Sequence, residues 1–123
     1  MTTDTRALLD ASTTEVQFME QVVELAHLKG WRVCHFRPGR TASGWRTAVS
    51  FDAQGWPDLC LVRERVVCAE LKSEHGVLST LQSDWITALE AAKAEVYVFR
   101  PSDWPKVERN FSDAARTVFS AAA

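Results

Sequence analysis

Apolar residues return at helical spacing from Glu15 onward: Phe18, Met19, Val22 and Ala26 form one stripe in line with Glu15, while Gln17, Glu20, Gln21 and Glu24 fall on the polar face. Ser12 with Glu15, and Thr14 with Gln17, both have the spacing of a capping box, in which side chains satisfy the unpaired N–H groups of a helix start. A helix is expected from there to about Lys29, stopped by Gly30. Trp31 to Arg37 then alternates with the period of a strand, ended by Pro38-Gly39. From Pro38 to about Trp56 the chain is rich in Gly, Ser, Thr and Arg without periodicity and reads as a long, substrate-contacting loop. Asp58 to Val62 and Arg65 to Leu71 are apolar at nearly every position and joined tightly around Arg63-Glu64, a hairpin of central strands covered on both faces. Ser79 and Gln82 form another capping box for a helix reaching about Ala92, and Glu95 to Phe99 follows as a strand. Pro101-Ser102-Asp103 leads a short helix from Trp104 towards Phe111, and Ser112-Asp113 is placed to start a last one.

This order predicts an α/β fold with an α-β-β-β-α-β core: a mixed four-stranded sheet, its last strand reached by a helical crossover, with helices on both faces. A chain of 123 residues fits one domain, here with a core over about 14–103, a short N-terminal tail and a C-terminal helical tail.

Composition narrows the class. Hydrophobic residues make up 46% of the chain and charged ones 24%, and no stretch approaches the roughly 20 apolar residues that span a bilayer, so a membrane protein is not expected. The polar start Met1 to Arg6 argues against a secretory signal and for the cytoplasm. Cys34, Cys60 and Cys68 lack CxxC spacing and sit in apolar runs, which reads as buried thiols rather than disulfides or a zinc site. The net charge of −2 does not suggest a nucleic-acid binder, but its distribution does. Leu25 to Phe51 holds no acid and contains Lys29, Arg32, Arg37, Arg40 and Arg46, either a solvated basic loop or a phosphate-binding stretch.

The candidate chemistry sits where an apolar residue would cost less. Asp58 begins one apolar strand, and Glu70 and Lys72 close the other. Glu70 and Lys72, two apart, leave the same face, and Asp58 shares it only if paired residue numbers sum to an even value such as 128, which also pairs Cys60 with Cys68 and Val62 with Val66. A two-residue turn at Arg63-Glu64 gives the other parity, so the site predicts a three- or five-residue loop, or a bulge. Two carboxylates beside a lysine suit a magnesium ion, for which manganese substitutes; the bland alternative is a salt bridge at the sheet edge. Glu15 faces the sheet as a fourth member or as a capping acid. Gln82 lines up with Leu78, Trp85 and Leu89, where it either touches substrate or a metal-bound water, or caps its helix. His35 alternates with Val33 and Arg37 and is more often structural in such a place. Trp31, Trp85 and Trp104 read as core, and Trp45 and Trp56 as anchors of the long loop or base-stacking groups.

Pro57-Asp58 followed by Glu70-Leu71-Lys72 resembles the Pro-Asp…(Asp/Glu)-x-Lys nuclease superfamily, whose fold is that of restriction endonucleases. The wider context is similar to its VRR-NUC branch, the virus-type replication-repair nucleases. It comprises Gly55 to Leu59, Gly76, Ser79…Gln82…Trp85 and Val96 to Asp103, together with Glu15, Phe18, Gly30-Trp31 and His35. The resemblance covers about 14–103; Trp56 before Pro57 departs from it. It implies that Asp58, Glu70 and the Leu71 backbone carbonyl bind Mg²⁺, that Lys72 is the catalytic lysine, and that Glu15 is the helix acid of the site. It further implies a stand-alone, phage-type homodimer that cuts branched DNA in the manner of a Holliday-junction resolvase, in the host cytoplasm. Arg37, Arg40, Arg46 and His35 are the expected DNA contacts. Two other readings use the same residues: a non-catalytic nucleic-acid-binding module, and a nuclease of linear DNA or RNA.

Overall fold

The computed structural model describes residues 3–36, 39–41, 44–46 and 51–112. Its elements in chain order are α1 (Thr3–Ser12), α2 (Glu15–Leu28), β1 (Arg32–His35), β2 (Gly39–Thr41), β3 (Gly44–Arg46), β4 (Leu59–Val62), β5 (Val66–Leu71), α3 (Thr80–Ala91), β6 (Glu95–Phe99) and α4 (Trp104–Ser112), with a 3-10 turn at Pro101–Asp103 before α4. β1, β4, β5 and β6 form one sheet in that order, antiparallel except for the final parallel pair, which α3 connects. This is the α/β architecture expected, a mixed four-stranded sheet flanked by helices.

Local sequence explains the boundaries. Of the two possible caps for α2, Thr14 is used: its hydroxyl accepts from the Gln17 N–H at 3.1 Å and Gln17 Oε1 accepts from the Thr14 N–H at 3.0 Å. Gly30, at φ +87°, lets the chain leave α2, and the Trp31 N–H donates back to the Ala26 carbonyl. Phe18, Val22 and Ala26 of α2 and Val107 and Phe111 of α4 cover one sheet face, packing on Leu59, Leu61, Val67, Ala69, Leu71 and Phe99. The Trp31 indole donates to the Phe111 carbonyl, and the Arg63 and Arg65 guanidinium groups lie 4.8 and 4.9 Å from its ring centre.

Four expectations are corrected. The N-terminal tail is helix α1: Ala7, Leu8, Leu9 and Ala11 have high helix propensity, and Ser12 ends this helix, its hydroxyl donating to the Leu9 carbonyl. The long loop contains a ribbon, β2 paired antiparallel with β3, because backbone pairing over three residues needs no side-chain period. β5 is buried from Val67 to Leu71, but β4 is fully covered on one face only; Cys60 is half-buried and Val62 exposed, because α3 lies against β6 at the far edge of the sheet from β1 and β4. Only Cys68 is a buried thiol, whereas Cys34 is exposed on edge strand β1 and Cys60 intermediate. The expected start of a last helix at Ser112-Asp113 falls at the limit of the described residues, with Asp113 outside them.

Candidate active site

Strand pairing brings the acids together. β4 and β5 pair Leu59 with Ala69, Cys60 with Cys68, Leu61 with Val67 and Val62 with Val66, leaving Arg63, Glu64 and Arg65 as a three-residue loop. This is the parity that places Asp58 opposite Glu70. The Phe36 N–H donates to the Asp58 carbonyl, so the backbone of Asp58, and by alternation that of Cys60, points towards β1. Asp58 and Glu70 therefore face each other at a non-hydrogen-bonded position, the closer kind, with Cα atoms about 4.5 Å apart.

Around that pair each partner comes from a different element. Asp58 Oδ2 accepts the Leu71 N–H at 2.9 Å, and because a strand residue turns its N–H and C=O to the same side, the Leu71 carbonyl also points towards Asp58. Glu70 is 1% exposed. Its Oε2 accepts from Gln82 Nε2 at 3.0 Å and lies 3.7 Å from Lys72 Nζ, while its Oε1 is buried with no hydrogen-bond partner. Burial, then the Asp58 charge, push the Glu70 carboxyl up to about 8, against the pull of Lys72. Lys72 Nζ stands 3.9 Å from Glu15 Oε1 as well, so one ammonium bridges the start of α2 and the end of β5. Of the two suggested roles of Glu15, the capping acid is corrected: Thr14 and Gln17 form the capping box and the Ser12 hydroxyl donates to the Leu9 carbonyl, so Glu15 stands in the first turn of α2 without capping it and reaches Lys72 instead. Gln82 is a cap and a Glu70 donor at once: its Oε1 accepts the Ser79 N–H at 2.9 Å, so its amide is engaged on both sides.

Beside these groups runs a cleft of about 400 Å³ lined by Glu15, Val16, Met19, Glu20, His35, Phe36 and Asp58. A larger depression of about 580 Å³ follows the Met19 to Leu28 side of α2, away from the Asp58 and Glu70 pair. His35 thus lies in the same cleft as Asp58 and Glu15. Arg37 lies outside the described residues. Arg40 and Arg46 are placed in the β2–β3 ribbon by their backbones.

The supports given by Arg100 and Gly55 were not legible in the sequence. The Arg100 guanidinium donates to the carbonyls of Ser73 (2.8 Å), Glu74 (3.2 Å) and Gly76 (2.7 Å), fixing the turn that follows Lys72. Gly55, at φ +93°, lies so near α3 that a Cβ there would meet the Leu81 backbone at 2.7 Å. The Trp85 indole donates to the Asp52 carbonyl and packs edge-on against Trp56 at 4.9 Å, so Trp56 anchors the turn that delivers Asp58 onto the helix that carries Gln82. Anchoring of the long loop is one of the two readings the sequence offered for Trp56, whereas Gly55 carried no signal of its contact with α3. Trp45 is described by its backbone alone.

The donor set can be tested against a divalent cation. Among the described residues no group of three or more His, Cys, Asp or Glu side chains is arranged to hold a metal ion. Two carboxylates and a carbonyl are nonetheless the hard oxygen donors with which magnesium is content, since it keeps several waters and takes phosphate oxygens for the rest. Glu70 Oε1, buried and unpartnered, is the atom that such an ion would satisfy. The residues fit the group. Comparison of the chain with family models, with curated proteins and with solved structures found no match. Among the described residues no helix is long and apolar enough to cross a membrane.

Proposed function

We propose that the chain is a Mg²⁺-dependent endonuclease that hydrolyses DNA phosphodiester bonds at Asp58, Glu70 and Lys72. The observation that carries this reading is the close opposition of Asp58 and nearly inaccessible Glu70, with an unpartnered Glu70 oxygen and one lysine beside them. A purely structural acid pair would be expected to satisfy its own oxygens, because an unpaired buried polar atom costs about 1–3 kcal/mol.

Each residue has a part. Asp58, Glu70 and the Leu71 carbonyl hold the ion, which when bound polarises the phosphate and makes water a stronger nucleophile near neutral pH. Gln82 orients the Glu70 carboxylate. Lys72 neutralises charge that develops on the phosphate in the transition state, and Glu15 restrains the lysine within reach. His35 and the basic stretch containing Arg37, Arg40 and Arg46 contact the nucleic acid, with the arginines neutralising phosphates. The proposed substrate is branched DNA, cut by a homodimer in the cytoplasm of a host cell. That finer statement rests on the VRR-NUC resemblance, since substrate shape is set by loops and assembly rather than by this fold.

The test uses Asp58→Ala and Lys72→Ala with a panel of four-way junction, flap, linear duplex, single-stranded DNA and RNA, in Mg²⁺ and in Mn²⁺. Both variants are expected to lose cleavage and to keep DNA binding at moderate salt. Full activity in either one removes the proposed site. The panel separates a junction resolvase from a nuclease of linear DNA or RNA, and binding without turnover by the unmodified chain identifies a non-catalytic module.

A further inference from the structure

Three cysteines lie side by side across the sheet. Cys34 of β1 pairs directly with Cys60 of β4, and Cys60 pairs directly with Cys68 of β5. Directly paired residues share a face, so all three sulfurs project from the one that α2 and α4 do not cover. Exposure falls along the row: Cys34 is exposed, Cys60 intermediate and Cys68 buried.

The two steps of the row are unequal. Cys60 turns its backbone towards β1, as the Phe36 to Asp58 bond requires, so Cys34 and Cys60 occupy a hydrogen-bonded position with Cα atoms about 5.5 Å apart. Cys60 and Cys68 occupy the non-hydrogen-bonded position, about 4.5 Å apart, with their side chains closer. Both separations fall within the roughly 4.4–6.8 Å that a disulfide spans, and the closer Cβ pair suits the roughly 3.8 Å mean of such bonds better. Cys34 and Cys68 are two strands apart, about 9.5 Å, beyond any bridge and too far for three sulfurs to meet on one metal at about 2.3 Å each.

We propose that the row is an oxidation site, a thiol relay in which a hydroperoxide reacts at Cys34 and the oxidation comes to rest as a cross-strand Cys60–Cys68 disulfide. In the first step the Cys34 sulfur attacks a peroxide oxygen. An S–O bond forms, the O–O bond breaks, and the departing oxygen leaves as an alcohol, or as water from hydrogen peroxide, with the thiol proton. Next the Cys60 sulfur attacks the sulfenic sulfur of Cys34. The S–S bond forms as the S–O bond breaks, and hydroxide leaves with the Cys60 proton as water. Finally the Cys68 sulfur attacks the Cys60 sulfur, the Cys34–Cys60 bond breaks, and the Cys68 proton passes to Cys34, which returns to a thiol. Over the cycle two thiols lose two electrons and two protons, and the peroxide is reduced. Cys60, the middle sulfur, is the one both neighbours can reach.

The test is independent of nuclease activity. The full chain is treated with hydrogen peroxide, alkylated, and mapped by mass spectrometry without reduction. The expected product is a Cys60–Cys68 bridge with Cys34 alkylated. Cys34→Ala is expected to reach the same bridge roughly tenfold more slowly, because the remaining thiols are less accessible. Cys60→Ala is expected to form no bridge within the chain, and Cys60→Val, better suited to a strand, repeats that arm if the alanine variant does not fold. A resting Cys34–Cys60 bridge, a Cys34 bond between two chains in its place, a Cys34–Cys68 bridge in a Cys60 variant, or an unchanged rate in Cys34→Ala overturns the relay.

Discussion

Replacing Glu70 with glutamine, which keeps the size of the side chain and lets Gln82 go on donating to an oxygen, isolates the cost of a buried negative charge. The fold holds the Glu70 carboxyl at about 8, against an ordinary 4.5, chiefly by desolvation and then by the Asp58 charge. Between those values the native state binds a proton that the unfolded chain has released, so stability is highest below about pH 4.5 and falls as pH rises through 8. At about 1.4 kcal/mol for each pH unit the ceiling on that loss is about 5 kcal/mol, and relaxation of the site and entry of water bring the working figure to about 2 kcal/mol. With a urea slope of about 2 kcal/mol per molar, the unmodified chain's midpoint should drop by about 1 M relative to Glu70→Gln between pH 5 and pH 9. Urea titrations of both proteins in EDTA measure this, and titrations common to both cancel in the difference. Added Mg²⁺ favours the ionised carboxylate, so it should remove most of the drop in the unmodified chain and leave Glu70→Gln much less changed. Midpoints that run parallel from pH 5 to pH 9 would refute the buried charge, and an Mg²⁺ effect of equal size in both proteins would refute its role in binding the ion.

Arg40→Ala should weaken DNA binding and reduce the slope of log affinity against log salt by about 0.9, measured by fluorescence anisotropy; an unchanged slope takes the ribbon out of the interface. Phe18→Ala removes a fully buried ring from the face that α2 presents to the sheet and should cost about 3–5 kcal/mol in urea unfolding, whereas a loss under 1 kcal/mol would mean that α2 does not pack there. Gly55→Ala puts a Cβ against the Leu81 backbone at positive φ, so it should destabilise by more than about 1 kcal/mol and lower cleavage by moving Asp58 away from Glu70; a neutral result on both would show that the turn is not held to α3.

Helix and strand periods in this chain are properties of neighbouring residues, which is why α2, α3, β6 and the hairpin of β4 and β5 follow from the sequence to within a residue or two. The capping boxes at Thr14 and Ser79 act over three residues and are equally local. The sequence also supplied three ionisable groups at the ends of apolar strands and the condition for their meeting, an even register. It did not decide between a two-residue and a three-residue turn at Arg63, because loop length follows from how both strands fit the helices above them. Only the tertiary structure set that parity, left Glu70 Oε1 without a partner, and drew Lys72 between Glu15 and Glu70. The same holds for Arg100 on the turn after Lys72 and for the unequal exposure of Cys34, Cys60 and Cys68. Burial depends on which elements come to cover a face. A strand of Leu, Val and Cys has the same period whether a helix covers it or solvent does, so the fall in exposure from Cys34 through Cys60 to buried Cys68 was invisible until the helices were placed.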